Sequence, residues 1–230
     1  MKLFLFDIDG TLIDSGGAGT RSLNLAFKQL FSIDDGFEGI NMAGKTDTQI
    51  IKEGLNKHDL PLKFVDKVIN AYIENLRKEI NNDNKHIKPG VSELLERLKR
   101  KRSSATGLLT GNLEPGARIK LEPFGLNKYF PSGAFGSDNE NRNMLLPIAV
   151  KRYKDLFNKN FKHEDCFVIG DTPLDIECAK IYGAYSIGVA TGPYTIEHLK
   201  SAGADYVIDN LANDDFLLWL KDTLNLRGEF

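Results

Sequence analysis

Six short apolar runs closed by turn-forming residues recur along this chain of 230 residues: LFLF at 3–6, ATGLLT at 105–110, GAFG at 133–136, CFVIG at 166–170, YSIGVA at 185–190 and DYVI at 205–208. Runs this short, apolar throughout and bounded by glycine or polar residues, read as strands buried on both faces. Between them lie segments with helical apolar spacing, at 91–98 after Pro89-Gly90, at 146–157 and at 174–182. Strand and helix alternate, so the fold class is α/β, a doubly wound parallel sheet with helices on both faces.

The rhythm breaks between 15 and 87, where no strand-like run occurs and amphipathic helices are predicted at about 20–31, 47–57 and 63–80. Ser15-Gly16-Gly17-Ala18-Gly19 leads into this stretch and Asn81-Asn82-Asp83-Asn84 leads out of it, two flexible junctions suited to a hinge. The expected organisation is a core from 1–14 and 88–230 with a helical cap inserted at 15–87. Phe216-Leu217-Leu218-Trp219-Leu220 predicts a closing helix with a packing role.

Composition excludes several functions. Lys and Arg number 30 against 32 Asp and Glu, for a net charge of −2, which leaves no electrostatic footprint for nucleic acid or for an acidic membrane surface. Cys166 and Cys178 are the only cysteines, too few for a disulfide framework or a structural zinc site, as suits a reducing compartment. No window approaches the ~20 apolar residues that span a bilayer, and no signal peptide is apparent. A soluble cytoplasmic protein, monomer or dimer, is expected.

In an open parallel sheet, ligands bind beyond the carboxyl ends of the strands. The first run delivers Asp7 and Asp9 there, the second Thr110-Gly111-Asn112, the third Ser137-Asp138 and then Arg142, the fourth Asp171-Thr172-Pro173-Leu174-Asp175. Carboxylates crowded into one crevice repel each other unless protons or a cation neutralise them. Mg²⁺ answers this demand, since it takes oxygen ligands and binds through a few carboxylates plus a substrate phosphate. Asp7, Asp9, Asp171 and Asp175 are the candidate metal residues, with the Ile8 carbonyl as a further donor. Phosphoryl transfer needs an in-line nucleophile, a proton for the leaving oxygen and donors around the phosphoryl oxygens. Asp7 is the candidate nucleophile, Asp9 the acid and base, Thr110 a hydroxyl donor and Arg142 the charge-offsetting cation, with Lys151 in reserve. Gly10, where the chain turns beside the phosphate, joins Thr11, Gly111 and Asn112 as candidate substrate contacts.

With these residues in place, the chain resembles the haloacid dehalogenase superfamily, in its helical-cap, phosphoglycolate phosphatase-like branch. Asp7-Ile8-Asp9-Gly10-Thr11 stands as its first motif, Leu108-Leu109-Thr110-Gly111-Asn112 as its second and Gly170-Asp171-Thr172-Pro173-Leu174-Asp175 as its fourth. The third motif departs from the family's lysine-proline pattern, since Asn141-Arg142-Asn143-Met144 fills it. The resemblance implies a Mg²⁺-dependent phosphatase passing through an aspartyl-phosphate. Its substrate would be a small phosphorylated molecule: a phosphoglycolate-like acid, a sugar phosphate or a nucleoside monophosphate. Asp9, two residues after the nucleophile, fits the phosphatase and phosphomutase branches and argues against a dehalogenase.

Gly39-Ile40-Asn41-Met42-Ala43-Gly44-Lys45-Thr46 also matches the phosphate loop G-x-x-x-x-G-K-[ST] of nucleoside triphosphatases. That loop follows a buried strand, whereas Ser32 to Glu38 read as turn and loop, so context disfavours it; the resemblance implies instead a cap loop closing over the site, with Lys45 a candidate substrate contact for a distal charged group. A phosphomutase and a non-catalytic phospho-ligand binding module complete the alternatives.

Overall fold

The structure, a computed structural model, describes residues 1–223. The chain opens with β1 (Lys2–Phe6) and a two-residue strand β2 (Ile13–Asp14), followed by helices α1 (Ala18–Phe31), α2 (Asp47–Lys57) and α3 (Val65–Glu79). A second short strand, β3 (His86–Ile87), leads to α4 (Val91–Lys99), β4 (Ser104–Thr110), α5 (Glu114–Leu121), β5 (Gly133–Phe135) and α6 (Leu145–Phe157). The remainder is β6 (Cys166–Gly170), α7 (Pro173–Ile181), β7 (Tyr185–Val189), α8 (Ile196–Ser201), β8 (Tyr206–Ile208) and α9 (Asp214–Thr223).

Six strands form one parallel sheet in the order β5-β4-β1-β6-β7-β8. Its centre is β1, paired to β4 with Leu3 opposite Ala105 and to β6 with Leu3 opposite Cys166. Because alternate side chains leave opposite faces of a strand, LFLF feeds two cores. Phe4 and Phe6 join Leu94 and Leu95 of α4, Leu121 of α5 and Phe216 of α9. Leu3 and Leu5 join Leu146 and Tyr153 of α6 and Ala179 of α7. Both faces are covered, which is why the strands are apolar throughout. Truncating Phe6, fully buried at the centre, would cost about 3–5 kcal/mol. The closing helix α9 sits where the apolar pentad predicts it, with Trp219 stacked on Tyr206 at 4.7 Å between ring centroids.

The helices α1, α2 and α3 pack around Phe27, Ile51, Leu55, Val68 and Leu76 as a separate apolar cluster, the helical cap. Where sequence periodicity gives only helices in 15–87, the structure adds β3, paired antiparallel to β2 with Ile13 opposite Ile87. Two residues are too short to leave a period, and the pairing ties both chain crossings together at the root of the cap. Helix α5 also went unforeseen, because Pro115-Gly116 reads as a turn, whereas proline in the first helical turn is well tolerated.

Candidate active site

The chain leaves β1 at its carboxyl end and places Asp7 there, its N–H donating to the Ile169 carbonyl of β6 at 2.9 Å, so the nucleophile candidate is fixed by the sheet itself. Gly10 follows with φ of 82°, and a Cβ there would collide with the Asp171 carboxylate, so only glycine fits. From the end of β6 comes Asp171, whose Oδ1 accepts the Thr11 hydroxyl at 3.1 Å. Thr172 caps α7, and its N–H and hydroxyl both donate to Asp175 Oδ2, at 3.1 and 2.7 Å. Proline at the first helical position and a threonine cap explain the local turn; they leave Asp171 free for the cleft.

Arg142 lies just ahead of α6 and is 5 % exposed. Its Nη2 pairs with Asp175 and stands 3.3 Å from Asp7 Oδ1, while Nη1 donates to the Gly44 carbonyl of the cap at 3.0 Å. Its Nε, also buried, has no partner among the described residues. Lys151, the reserve cation, is exposed on α6.

Asp7, Asp171 and Asp175 bring carboxylate oxygens within 4.8 Å of one another, all buried. One guanidinium does not balance three carboxylates. Burial pushes Asp7 up to about 6, with Arg142 pulling the other way. Burial, then the charges of Asp7 and Asp175, raises Asp171 well above the usual carboxylate range. An oxygen-only donor set carrying surplus negative charge fits a hard divalent cation.

Asp9 departs from the expected ligand set. Its Oδ2 accepts from Lys120 Nζ at 2.6 Å and from Asn112 Nδ2 at 2.9 Å, which turns the carboxylate away from the acidic trio. The Ile8 carbonyl departs too, since it accepts the N–H groups of Thr11, Leu12 and Ile13 within the turn. Thr11 is fully buried and spends its hydroxyl on Asp171, so its side chain is not exposed to a substrate. Asn112 likewise spends its amide internally, donating to Asp9 and Thr110 and accepting from Lys120. Asp138 pairs with Arg152 at 2.6 Å and serves the β5 end rather than the cleft.

Thr110, fully buried at the end of β4, accepts the Asn112 N–H at 3.3 Å and Asn112 Nδ2 at 2.9 Å through Oγ1. Gly111 packs against the cap, its carbonyl accepting the Asp47 N–H at 2.8 Å. Lys45 lines the cleft with its ammonium tethered to Glu53 at 2.7 Å. No strand precedes Gly39 to Thr46, and Thr46 caps α2 through Gln49, so this segment lacks the setting of a nucleotide-binding phosphate loop.

Sequence patterning missed Lys120 and Asp47. Lys120 is 4 % exposed on α5. Burial opposes its charge, but Asp9, Tyr72 and Asp47 overcompensate and hold the ammonium above its ordinary range. Asp47, the first residue of α2, accepts the Leu113 N–H at 2.9 Å and is pushed up to about 6 by burial, against the pull of Lys120. A signal was available: Ala117, Lys120 and Leu121 share the inward face of α5, an unusual place for a lysine.

These groups line one cavity of about 490 Å³ between core and cap, floored by Asp7, Asp171 and Arg142 and walled by Leu23, Met42 and Ile50 of the cap. A doubly wound sheet with an acidic cleft at its switch point and a helical cap above defines a hydrolase of the phosphatase class. Residues 4–189 match the family model described as haloacid dehalogenase-like hydrolase, and the chain belongs to that family. It is 26 % identical over 217 residues to a phosphoglycolate phosphatase of Agrobacterium fabrum, covering 91 % of this chain and 89 % of that one. It is 25 % identical over 229 residues to the pyrophosphatase PpaX of Oceanobacillus iheyensis, covering 100 % of this chain and 98 % of that one. The crystal structure of CbbY from Rhodobacter sphaeroides in complex with phosphate superposes with a TM-score of 0.74 at 20 % identity, over 93 % of this chain and 96 % of that one. Phosphatases of the family generally use a divalent metal, and the buried trio is able to hold one. No helix among the described residues is long and apolar enough to cross a membrane.

Proposed function

We propose that the chain is a Mg²⁺-dependent phosphomonoesterase acting on a small phosphorylated metabolite through an aspartyl-phosphate at Asp7. One observation carries the reading: a buried Asp7 on the floor of the cavity stands 3.3 Å from Arg142 and clusters with the carboxylates of Asp171 and Asp175. An Asp7 oxygen attacks phosphorus and the ester P–O bond breaks, while Asp9 gives its proton to the leaving oxygen, which departs as an alcohol. Asp9, now a carboxylate, takes a proton from water, whose oxygen attacks phosphorus. The Asp7–phosphorus bond then breaks, releasing inorganic phosphate and restoring both aspartates. Arg142 and the N–H groups near Gly111, which line the cavity, serve the phosphoryl oxygens, with Thr110 buried behind them.

Asp7 and Asp171 would hold the cation, with Asp175 supporting from the far side; the cation supplies positive charge that lets an anionic nucleophile approach an anionic ester. Residues 1–14 and 88–230 act as the core and 15–87 as the cap, in a cytoplasmic monomer or dimer. A cavity this size suits a small ligand. The relatives named phosphoglycolate phosphatase favour a phosphoglycolate-like acid over the sugar phosphates and nucleoside monophosphates, a preference that those named pyrophosphatase do not share, and Lys45 meets the far end of the substrate.

The test is p-nitrophenyl phosphate hydrolysis by wild type and Asp7→Asn, with Mg²⁺ and with chelator, followed by phosphoglycolate, glucose 6-phosphate and AMP. Turnover needs the metal and falls about 10³-fold or more in the variant. Equal turnover by the two proteins contradicts the reading.

A further inference from the structure

Among the described residues, Lys120 is the one buried ammonium in the cleft, and it has no task in the steps above. Its Nζ donates to Asp9 Oδ2 and to Asn112 Oδ1, both at 2.6 Å. Asn112 Nδ2 reaches the same Asp9 oxygen at 2.9 Å and Thr110 Oγ1 at 2.9 Å. Asp9 is therefore gripped by one oxygen only. Oδ1 takes no hydrogen bond among the described residues, and the side chain is 40 % exposed beside the cavity. All three cap helices close around the ammonium: a Cβ on Gly19 of α1 would lie 3.4 Å from it, and Asp47 of α2 and Tyr72 of α3 are the charged and polar groups facing it.

We propose that Lys120 is the positioning residue of proton transfer: sealed beneath the cap, it pins Asp9 by Oδ2, away from the acidic trio, so that Oδ1 meets the leaving oxygen. The inference rests on the reading of Asp9 as the acid. Without this grip, the Asp9 carboxylate is free to swing, and the proton is no longer delivered at a fixed place. Because a displacement of about 1 Å can cost 10²-fold, a residue that acts through Asp9 can control this step. The cap contributes by excluding water from the ammonium, which strengthens the pair.

The leaving group reads the effect directly. The phenolate of p-nitrophenyl phosphate departs without a proton, whereas benzyl phosphate, of similar size, must leave as a protonated alcohol. With Lys120→Met, kcat/KM for benzyl phosphate is expected to fall about 10²-fold, while that for p-nitrophenyl phosphate changes by less than about threefold. Because kcat/KM covers only the steps up to the phosphoenzyme, slow water attack does not mask the contrast. In an Asp9→Asn background, Lys120→Met should cost nothing further on benzyl phosphate. A uniform loss on both esters, no loss on either, or additive losses in the double variant overturns the inference. Where Lys120→Met does not fold, Lys120→Arg takes its place: it keeps the charge but shifts the grip, and a selective loss supports the inference while a uniform one overturns it. If Asp9→Asn itself shows no leaving-group selectivity, the proton role of Asp9 fails. If Asp9→Asn is selective and Lys120→Met is not, only the positioning role fails.

Discussion

Arg142 joins three distant parts of the chain: the nucleophile strand through Asp7, helix α7 through Asp175 and the cap through the Gly44 carbonyl. A planar guanidinium can make these contacts at once; an ammonium is a point charge on a flexible stem. Arg142→Lys keeps the charge at Asp7 but gives up the cap contact. We expect kcat/KM to fall about tenfold, most of it in KM, with substrate titration as the check; an unchanged KM would remove Arg142 from cap closure. At this scale the sequence is legible wherever a strand ends in a charged residue. Asp7 and Asp171 are found that way, because strand ends fix where side chains converge, whereas Arg142 comes from the loop between β5 and α6. The carboxylate of Asp9 does not join the acidic trio because its direction is set by Lys120, a residue far along the chain whose burial depends on how α5 packs beneath the cap.

The loop ahead of α2 shows how an element is seated. Gly44 has φ of 74°, and a Cβ there would lie 2.6 Å from Thr172 Oγ1, so cap and core touch through bare backbone. Gly44→Ala adds a strained left-handed alanine and a wedge at the closing surface. The expected outcome is a loss in kcat/KM of about 10²-fold with Tm lowered by only a few degrees, checked by kinetics and thermal unfolding on the same sample. A normal rate would mean the cap closes elsewhere. Core strands were legible because burial on both faces leaves an unbroken apolar run. The pair β2 and β3 was not, since its stability comes from tying the two cap crossings rather than from any local pattern. Helix α5 was hidden by Pro115-Gly116, whose turn signal is overridden by Ala117 and Leu121 packing on the sheet.

For the whole molecule, the buried carboxyls link stability to pH. Asp7 and Asp47 are both held at about 6, above the ~4 of an unfolded chain. Raised carboxyls stabilise the fold most when protonated, so this contribution is present at low pH and is lost as pH rises through about 6. The metal-free protein should therefore melt at a higher temperature at pH ~5 than at pH ~7, and Mg²⁺ should narrow the gap by taking the place of protons in the acidic trio. Asp47→Asn, which keeps an acceptor for Leu113, should remove about 1 kcal/mol of the dependence between those two pH values. Melting curves across that range, with and without chelator, check both; a gap of opposite sign contradicts the electrostatic account. The central claim is that phosphorus passes through Asp7. Its most direct measurement is acid-quench mass spectrometry of the protein mixed with p-nitrophenyl phosphate and Mg²⁺. The account predicts one phosphoryl group on the peptide carrying Asp7, absent from Asp7→Asn; a phosphoryl group on another residue, or an Asp7→Asn variant that turns over at the wild-type rate, would contradict it.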